Sequence, residues 1–285
     1  MTDHKRTVEL VKRALIDAGS TFRPDRKEAY RKAIAKESSD RARWVLETIL
    51  ANAEAAEKQK SPLCDDSGIP HLLLEIGDDA PVTGRTLDAI EEGIREGLRA
   101  LPGRPMGLRG DDRARIDQSG GPDPDPAGVA PAPLLVRRAS GQVLRLHVLM
   151  FGGGPAIRAK TLRVFHRHSV EAVTGEIVSW ACQAVKELGC TPCTLAVGIG
   201  RSHFEASSMM LEALVEGRCD EQSALEKEIT DRVNASDVGP LGLHGKTSVL
   251  ATFLKVGPQR ASGVRIVCLR PCCCFEPRIA SVDLI

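Results

Sequence analysis

Nine cysteines, at positions 64, 182, 190, 193, 219, 268, 272, 273 and 274, are the residues of this sequence best suited to chemistry. Three of them are consecutive, in Val-Cys-Leu-Arg-Pro-Cys-Cys-Cys-Phe over residues 267–275. Adjacent cysteines cannot bridge one another without strain, because a disulfide needs its Cβ atoms about 3.8 Å apart and correctly aimed. At least one of the three should therefore act alone, as a ligand, a nucleophile or a small core residue. Cys190 and Cys193 form a Cys-x-x-Cys, and Cys64 opens Cys-Asp-Asp-Ser-Gly. The count is odd and no secretion signal is visible, which argues against a disulfide framework and for a cytoplasmic location. Cys182, Cys219 and Cys268 read as small buried hydrophobes.

The Cys-x-x-Cys has two familiar readings, and its surroundings oppose both. A thioredoxin-like pair follows a strand and opens a helix whose N-terminus lowers the thiol pKa; here a helix (169–189) precedes and a strand (194–200) follows. A four-cysteine zinc site needs a second knuckle, which the cysteine triplet does not supply. Thiols carried one to a loop suit an iron–sulfur cluster better. A [4Fe–4S] core held by only three cysteines leaves one iron open as a Lewis acid. Spacing alone does not decide among these.

The elements that must position these thiols follow from periodicity. Apolar residues at helical spacing predict amphipathic helices over 4–18 and 26–60, the second ending at Ser-Pro-Leu-Cys-Asp-Asp-Ser-Gly. His-Leu-Leu-Leu-Glu-Ile-Gly predicts a buried strand, and a helix is expected over 84–100. Residues 101–132 are dense in Gly, Pro, Asp and Arg and read as a long loop, a length that tends to be functional or disordered. Residues 133–154 predict two strands around a Ser-Gly turn, the second running into Gly152-Gly153-Gly154. Helices are then expected at 169–189, 203–217 and 220–233, with strands at 194–200, 246–257 and 263–271. Helices come first and strands mix with helices afterwards, without regular alternation, so the fold class is α+β with a mixed sheet, in a single domain over 1–285. Its parts would be a helical segment (1–60) and an α/β cluster-binding segment (61–285).

Composition bounds the partners. With 39 Lys+Arg against 38 Asp+Glu the formal charge is +1, so no global field recruits nucleic acid or an anionic membrane. No apolar run approaches the roughly 20 residues of a membrane span.

Taken in order, the glycine- and cysteine-bearing segments resemble the class I, iron–sulfur-dependent fumarate hydratases and L-tartrate dehydratases, specifically their α subunit or N-terminal catalytic half. Cys64-Asp65-Asp66-Ser67-Gly68 resembles the family's Cys-Gln-Asp-Thr-Gly, and Phe-Gly-Gly-Gly-Pro-Ala-Ile its Lys-Gly-Gly-Gly-Ser loop. Cys190-Thr191-Pro192 before Gly-Ile-Gly is similar to its Cys-Pro-Pro before a glycine-rich strand end, and Gly-Leu-His-Gly-Lys-Thr to its Gly-Leu-Gly-Gly-Lys-Thr. The sequence departs from the pattern at Asp65 (usually Gln), Phe151 (Lys), Pro155 (Ser), Ile157 (Asn) and Arg201 (Gly).

The resemblance implies a hydro-lyase that reversibly dehydrates a small 2-hydroxy dicarboxylic acid of the malate or tartrate type on the open iron of a [4Fe–4S] cluster. It implies Cys64, Cys190 and a third cysteine near the end of the domain as ligands. Laying the closing strand on the family's selects Cys272, with Cys273 and Cys274 as its rivals. Asp66 matches the substrate-facing catalytic aspartate. Substrate would be held by Asp65, by the peptide N–H groups of Gly152, Gly153 and Gly154, by Lys246 and by an arginine of the long loop, Arg109 ahead of Arg104. His203 is a further polar group at a helix start. The family's second half carries more substrate-binding groups, so a β subunit is expected as partner, with an αα homodimer inside a heterotetramer. The alternative from another class is a divergent homologue that binds a cluster or a carboxylate without catalysis.

Overall fold

The computed structural model describes residues 3–104 and 106–285, and the chain divides into two compact units. The first comprises residues 1–21, 55–153 and 278–285, the second 22–54 and 154–277. Elements are α+β as the periodicity predicts, but the strands form two four-stranded mixed sheets.

In the first unit, α1 (Asp3–Ser20) and α4 (Gly84–Ala100) pack on one face of a sheet of β1 (Ile69–Ile76), β2 (Leu135–Arg138), β3 (Leu144–Phe151) and β8 (Arg278–Asp283), in the order β2-β1-β3-β8. Thr83 starts α4 with a reciprocal capping box to Thr86. Ile90, Ile94 and Leu98 then recur at helical spacing and meet Leu72, Leu74, Leu146 and Val148, which alternate on the strands. β1 lies between β2 and β3, parallel to the first and antiparallel to the second. The hairpin suggested by the Ser-Gly turn is therefore absent: β2 and β3 each pair with β1. The long loop contains a short helix, α5 (Asp112–Asp117), and a 3-10 turn at Pro126–Val129, and is otherwise irregular among its described residues.

In the second unit lie α2 (Pro24–Lys36) and most of α3 (Asp40–Gln59). The predicted helix over 26–60 is broken at Glu37-Ser38-Ser39, where the Glu37 carboxylate accepts from the N–H groups of both serines. The sheet has the order β4-β7-β5-β6, with β4 (Lys160–Phe165), β5 (Cys193–Gly200), β6 (Val249–Val256) and β7 (Val264–Pro271). The short helix α6 (Gly153–Ala156) leads into β4, a strand that periodicity does not reveal because its burial is confined to Val164. β5 is buried at every position. One face carries Leu195, Val197 and Ile199 against α7 (Val170–Leu188) and α9 (Ala224–Asn234). Its other face meets α8 (His203–Glu216) so closely that a Cβ at Gly198 would fall 2.0 Å from the Ala206 carbonyl. That approach is why the strand end reads Gly-Ile-Gly.

Candidate functional site

In the first unit, the Cys64–Gly68 turn precedes β1 and is tied by its own carboxylates. Asp66 spends both oxygens on backbone: Oδ1 accepts from the Gly68 N–H at 3.0 Å and Oδ2 from the Gly153 N–H at 2.9 Å. Gly68 has φ +80°, and a Cβ there would lie 2.6 Å from Arg278 Nη2 and 2.7 Å from the Phe151 carbonyl, so only glycine fits the turn. Arg278 is buried and donates from Nη1 to the Asp66 carbonyl (2.6 Å) and from Nε to the Met150 carbonyl (3.2 Å). Asp65 Oδ1 accepts from the Asp66 N–H at 2.9 Å and sits 3.5 Å from Cys64 Sγ. The Ser67 hydroxyl is buried without a hydrogen-bond partner.

These contacts sort the expected substrate-binding groups. The Gly153 N–H is committed to Asp66, so the glycine triplet does not offer three open donors to an anion. Arg104, not Arg109, joins the turn: its N–H donates to the Asp65 carbonyl at 2.6 Å and its Nη2 lies 3.1 Å from Asp65 Oδ2. Arg109 is exposed, and its N–H pairs with the Gly121 carbonyl across the long loop. Phe151, where the family has lysine, is buried and stacks on His71 with ring centroids 4.2 Å apart; Ile157, where it has asparagine, is exposed.

In the second unit, the turn after α7 presents Cys190 as an exposed thiol, while Cys193 is fully buried at the start of β5. Burial pushes the Cys193 thiol well above its ordinary value, which suits a core residue and not a redox pair. At the end of β7, Cys272 and Cys274 separate in role. The Cys272 N–H donates to the Thr194 carbonyl at 2.7 Å, and its thiol is fully buried 3.5 Å from Arg270 Nη1, pushed up to about 12 by that burial. Arg270 is paired with Glu276 at 2.5 Å, both buried. Interactions with Cys190 and then Cys273, together with burial, push the Cys274 thiol well above the usual thiol range. A one-residue change of register moves a side chain to the opposite face. Cys274 thus interacts with Cys190, while Cys272 lies against Arg270.

Two further side chains hold this turn and were not read from the sequence. Arg26 Nη2 donates to the carbonyls of Cys274 (2.6 Å) and Cys273 (3.2 Å), and the Tyr30 hydroxyl donates to the Cys274 carbonyl at 2.7 Å. The only signal in the sequence is an arginine one helical turn before a tyrosine, a pattern shared with many solvated helices. Lys246 belongs to the same unit. Its N–H donates to Glu37 Oε2 at 2.9 Å, and its exposed side chain lines a cavity of about 390 Å³ with Asp25, Lys36 and Cys219. His203 is exposed at the start of α8, which Ser202 caps.

Among the described residues no three His, Cys, Asp or Glu side chains are gathered at metal-holding distance, and no helix is long and apolar enough to cross a membrane. A family model described as Fumarate hydratase (Fumerase) matches residues 8–282. A putative L(+)-tartrate dehydratase subunit alpha of Methanocaldococcus jannaschii is 24% identical over 267 residues, covering 90% of each chain. An L(+)-tartrate dehydratase subunit alpha of Escherichia coli strain UTI89 is 21% identical over 244 residues, 83% of this chain and 77% of the relative.

Proposed function

The chain belongs to the fumarate hydratase (Fumerase) family, and from that premise we propose that it is the α-type subunit of an iron–sulfur hydro-lyase. Its substrate would be a small 2-hydroxy dicarboxylic acid, of the tartrate or malate type, dehydrated reversibly in the cytoplasm. The observation that carries the reading is the placement of Cys190 just before β5 and Cys274 just after β7, at the same end of two paired antiparallel strands, where their thiols interact.

The donor set fits an iron–sulfur group. It consists of thiols, which suit iron–sulfur and other soft-metal centres rather than magnesium or calcium. We assign Cys190 and Cys274 as ligands on the geometry of the second unit, Cys274 ahead of Cys272 because the Cys272 thiol lies against Arg270, and Cys64 on the family resemblance alone. When bound, the [4Fe–4S] group would supply an open iron, a Lewis acid for the substrate hydroxyl. The chain's own residues bind and orient. Arg104 and Lys246 carry charge suited to substrate carboxylates, and Gly154 and Gly152 border the tied Gly153. Asp66 is assigned to the proton α to a carboxylate, in a carboxylate oriented by two peptide N–H groups. Asp65 places its charge beside Cys64 and bridges to Arg104.

Both relatives are named as α subunits, which supports a β partner here, with an αα contact in a heterotetramer. A second reading, a non-catalytic homologue, is favoured by Phe151 and Ile157, neither of which can hydrogen-bond a substrate as lysine and asparagine do. Anaerobic reconstitution with iron and sulfide, followed by paramagnetic resonance and a tartrate, malate and fumarate assay of the chain co-expressed with a β-type partner, separates the two. Turnover establishes the enzyme; a loaded, partnered and inert complex establishes the non-catalytic reading.

A further inference from the structure

Arg26 is fully buried on α2, and its guanidinium is only partly satisfied: Nη2 donates to the Cys273 and Cys274 carbonyls, while Nε and Nη1 have no hydrogen-bond partner. The ring of Phe22 lies 5.0 Å from the guanidinium carbon, and the sulfurs of Cys219, Cys272 and Cys273 are within electrostatic reach. Among the described residues no carboxylate pairs with it. The neighbouring Arg270 shows the usual arrangement, a buried guanidinium neutralised by buried Glu276. An unpaired buried charge with two idle donors is costly, and a bound anion would offset that cost.

We propose that Arg26 is a positioning residue of the thiol site, its Nη2 fixing the turn that presents Cys274 and its uncompensated charge acting as the counter-charge of the bound iron–sulfur group. This rests on the iron–sulfur reading above. A cluster held by thiolates is anionic, and buried cations and hydrogen bonds around it set both its retention and its potential. Tyr30 is the second anchor, holding the same Cys274 carbonyl. Nε and Nη1 of Arg26 are the donors that would remain to serve such a group.

The test compares full-length wild type, Arg26→Met, Arg26→Lys and Tyr30→Phe after anaerobic reconstitution. It reads iron release to a ferrous chelator and the midpoint potential followed by paramagnetic resonance. Arg26→Met is expected to release iron at least about tenfold faster, in the range seen when an outer-shell partner of a metal site is removed. Its potential should fall, because a cation next to the cluster favours the added electron, and Arg26→Lys should restore the potential, since the charge returns. A wild-type release rate and potential in Arg26→Met overturn the proposal and leave the iron–sulfur reading standing. Should Arg26→Met fail to fold by circular dichroism, Tyr30→Phe and Arg26→Lys carry the test: faster release in both supports the anchoring role, and unchanged release in both overturns it. A wild-type chain that takes up no iron removes the iron–sulfur reading itself, and the proposal with it.

Discussion

Replacing Asp66 with asparagine tests whether that carboxylate is a structural bracket as well as a chemical group. Its two oxygens accept one N–H each, from Gly68 and Gly153. Asparagine keeps the shape but has one acceptor, so one of these N–H groups must face an amide NH₂. A hydrogen bond to a charged group contributes about 1.5–3 kcal/mol, and the half-buried position puts both bonds at the low end of that range. Losing one bond, setting donor against donor and weakening the survivor amounts to about 2 kcal/mol; Asp66→Ala, which loses both, should cost about 3 kcal/mol. The assay is urea unfolding of the metal-free chain followed by circular dichroism, with the slope checked for constancy so that the midpoint reports stability. Asp65→Asn is the control, because its ion pair with Arg104 is exposed at both ends and should contribute about 0–1 kcal/mol. If Asp66→Asn unfolds at the wild-type midpoint, the bracket carries no load and the account of how the glycine loop is tied is wrong.

Cys274→Ala should abolish iron retention after reconstitution, whereas Cys272→Ala should retain iron and lose only packing, about 1 kcal/mol for one buried atom, read as iron per chain. Glu276→Gln leaves the Arg270 guanidinium buried without its counter-charge and should destabilise by about 3–5 kcal/mol in urea; a shift under about 1 kcal/mol would contradict the ion pair's burial. The Cys272 and Cys219 thiols are held neutral by burial, up to about 12 and about 11, against an ordinary 9.0. The unfolded chain therefore releases these protons first as pH rises through 9, so the stability they contribute is complete below pH 9 and is lost between 9.0 and about 12. Unfolding at pH 8 and pH 10.5 measures this, and mass-resolved alkylation at pH 8 should label exposed Cys190 well before Cys272.

The α+β class, most of the helices and strands, and the segments that carry chemistry are legible in the sequence. Helical and alternate spacing record which face is buried, and Gly68 and Gly198 record backbone geometry that no other residue tolerates. It did not disclose that β1 separates β2 from β3, nor that the strands divide into two sheets, because pairing depends on which apolar faces meet across distant stretches of chain. Nor could it choose among Cys272, Cys273 and Cys274. Three identical residues carry no pattern, and what distinguishes them is the register at the end of β7: Arg270 faces one thiol, and Cys190 meets another. Arg26 was illegible for the same reason. A charged side chain on a helix reads as solvated until the fold buries it, and only the tertiary structure sets its guanidinium against the carbonyls of Cys273 and Cys274.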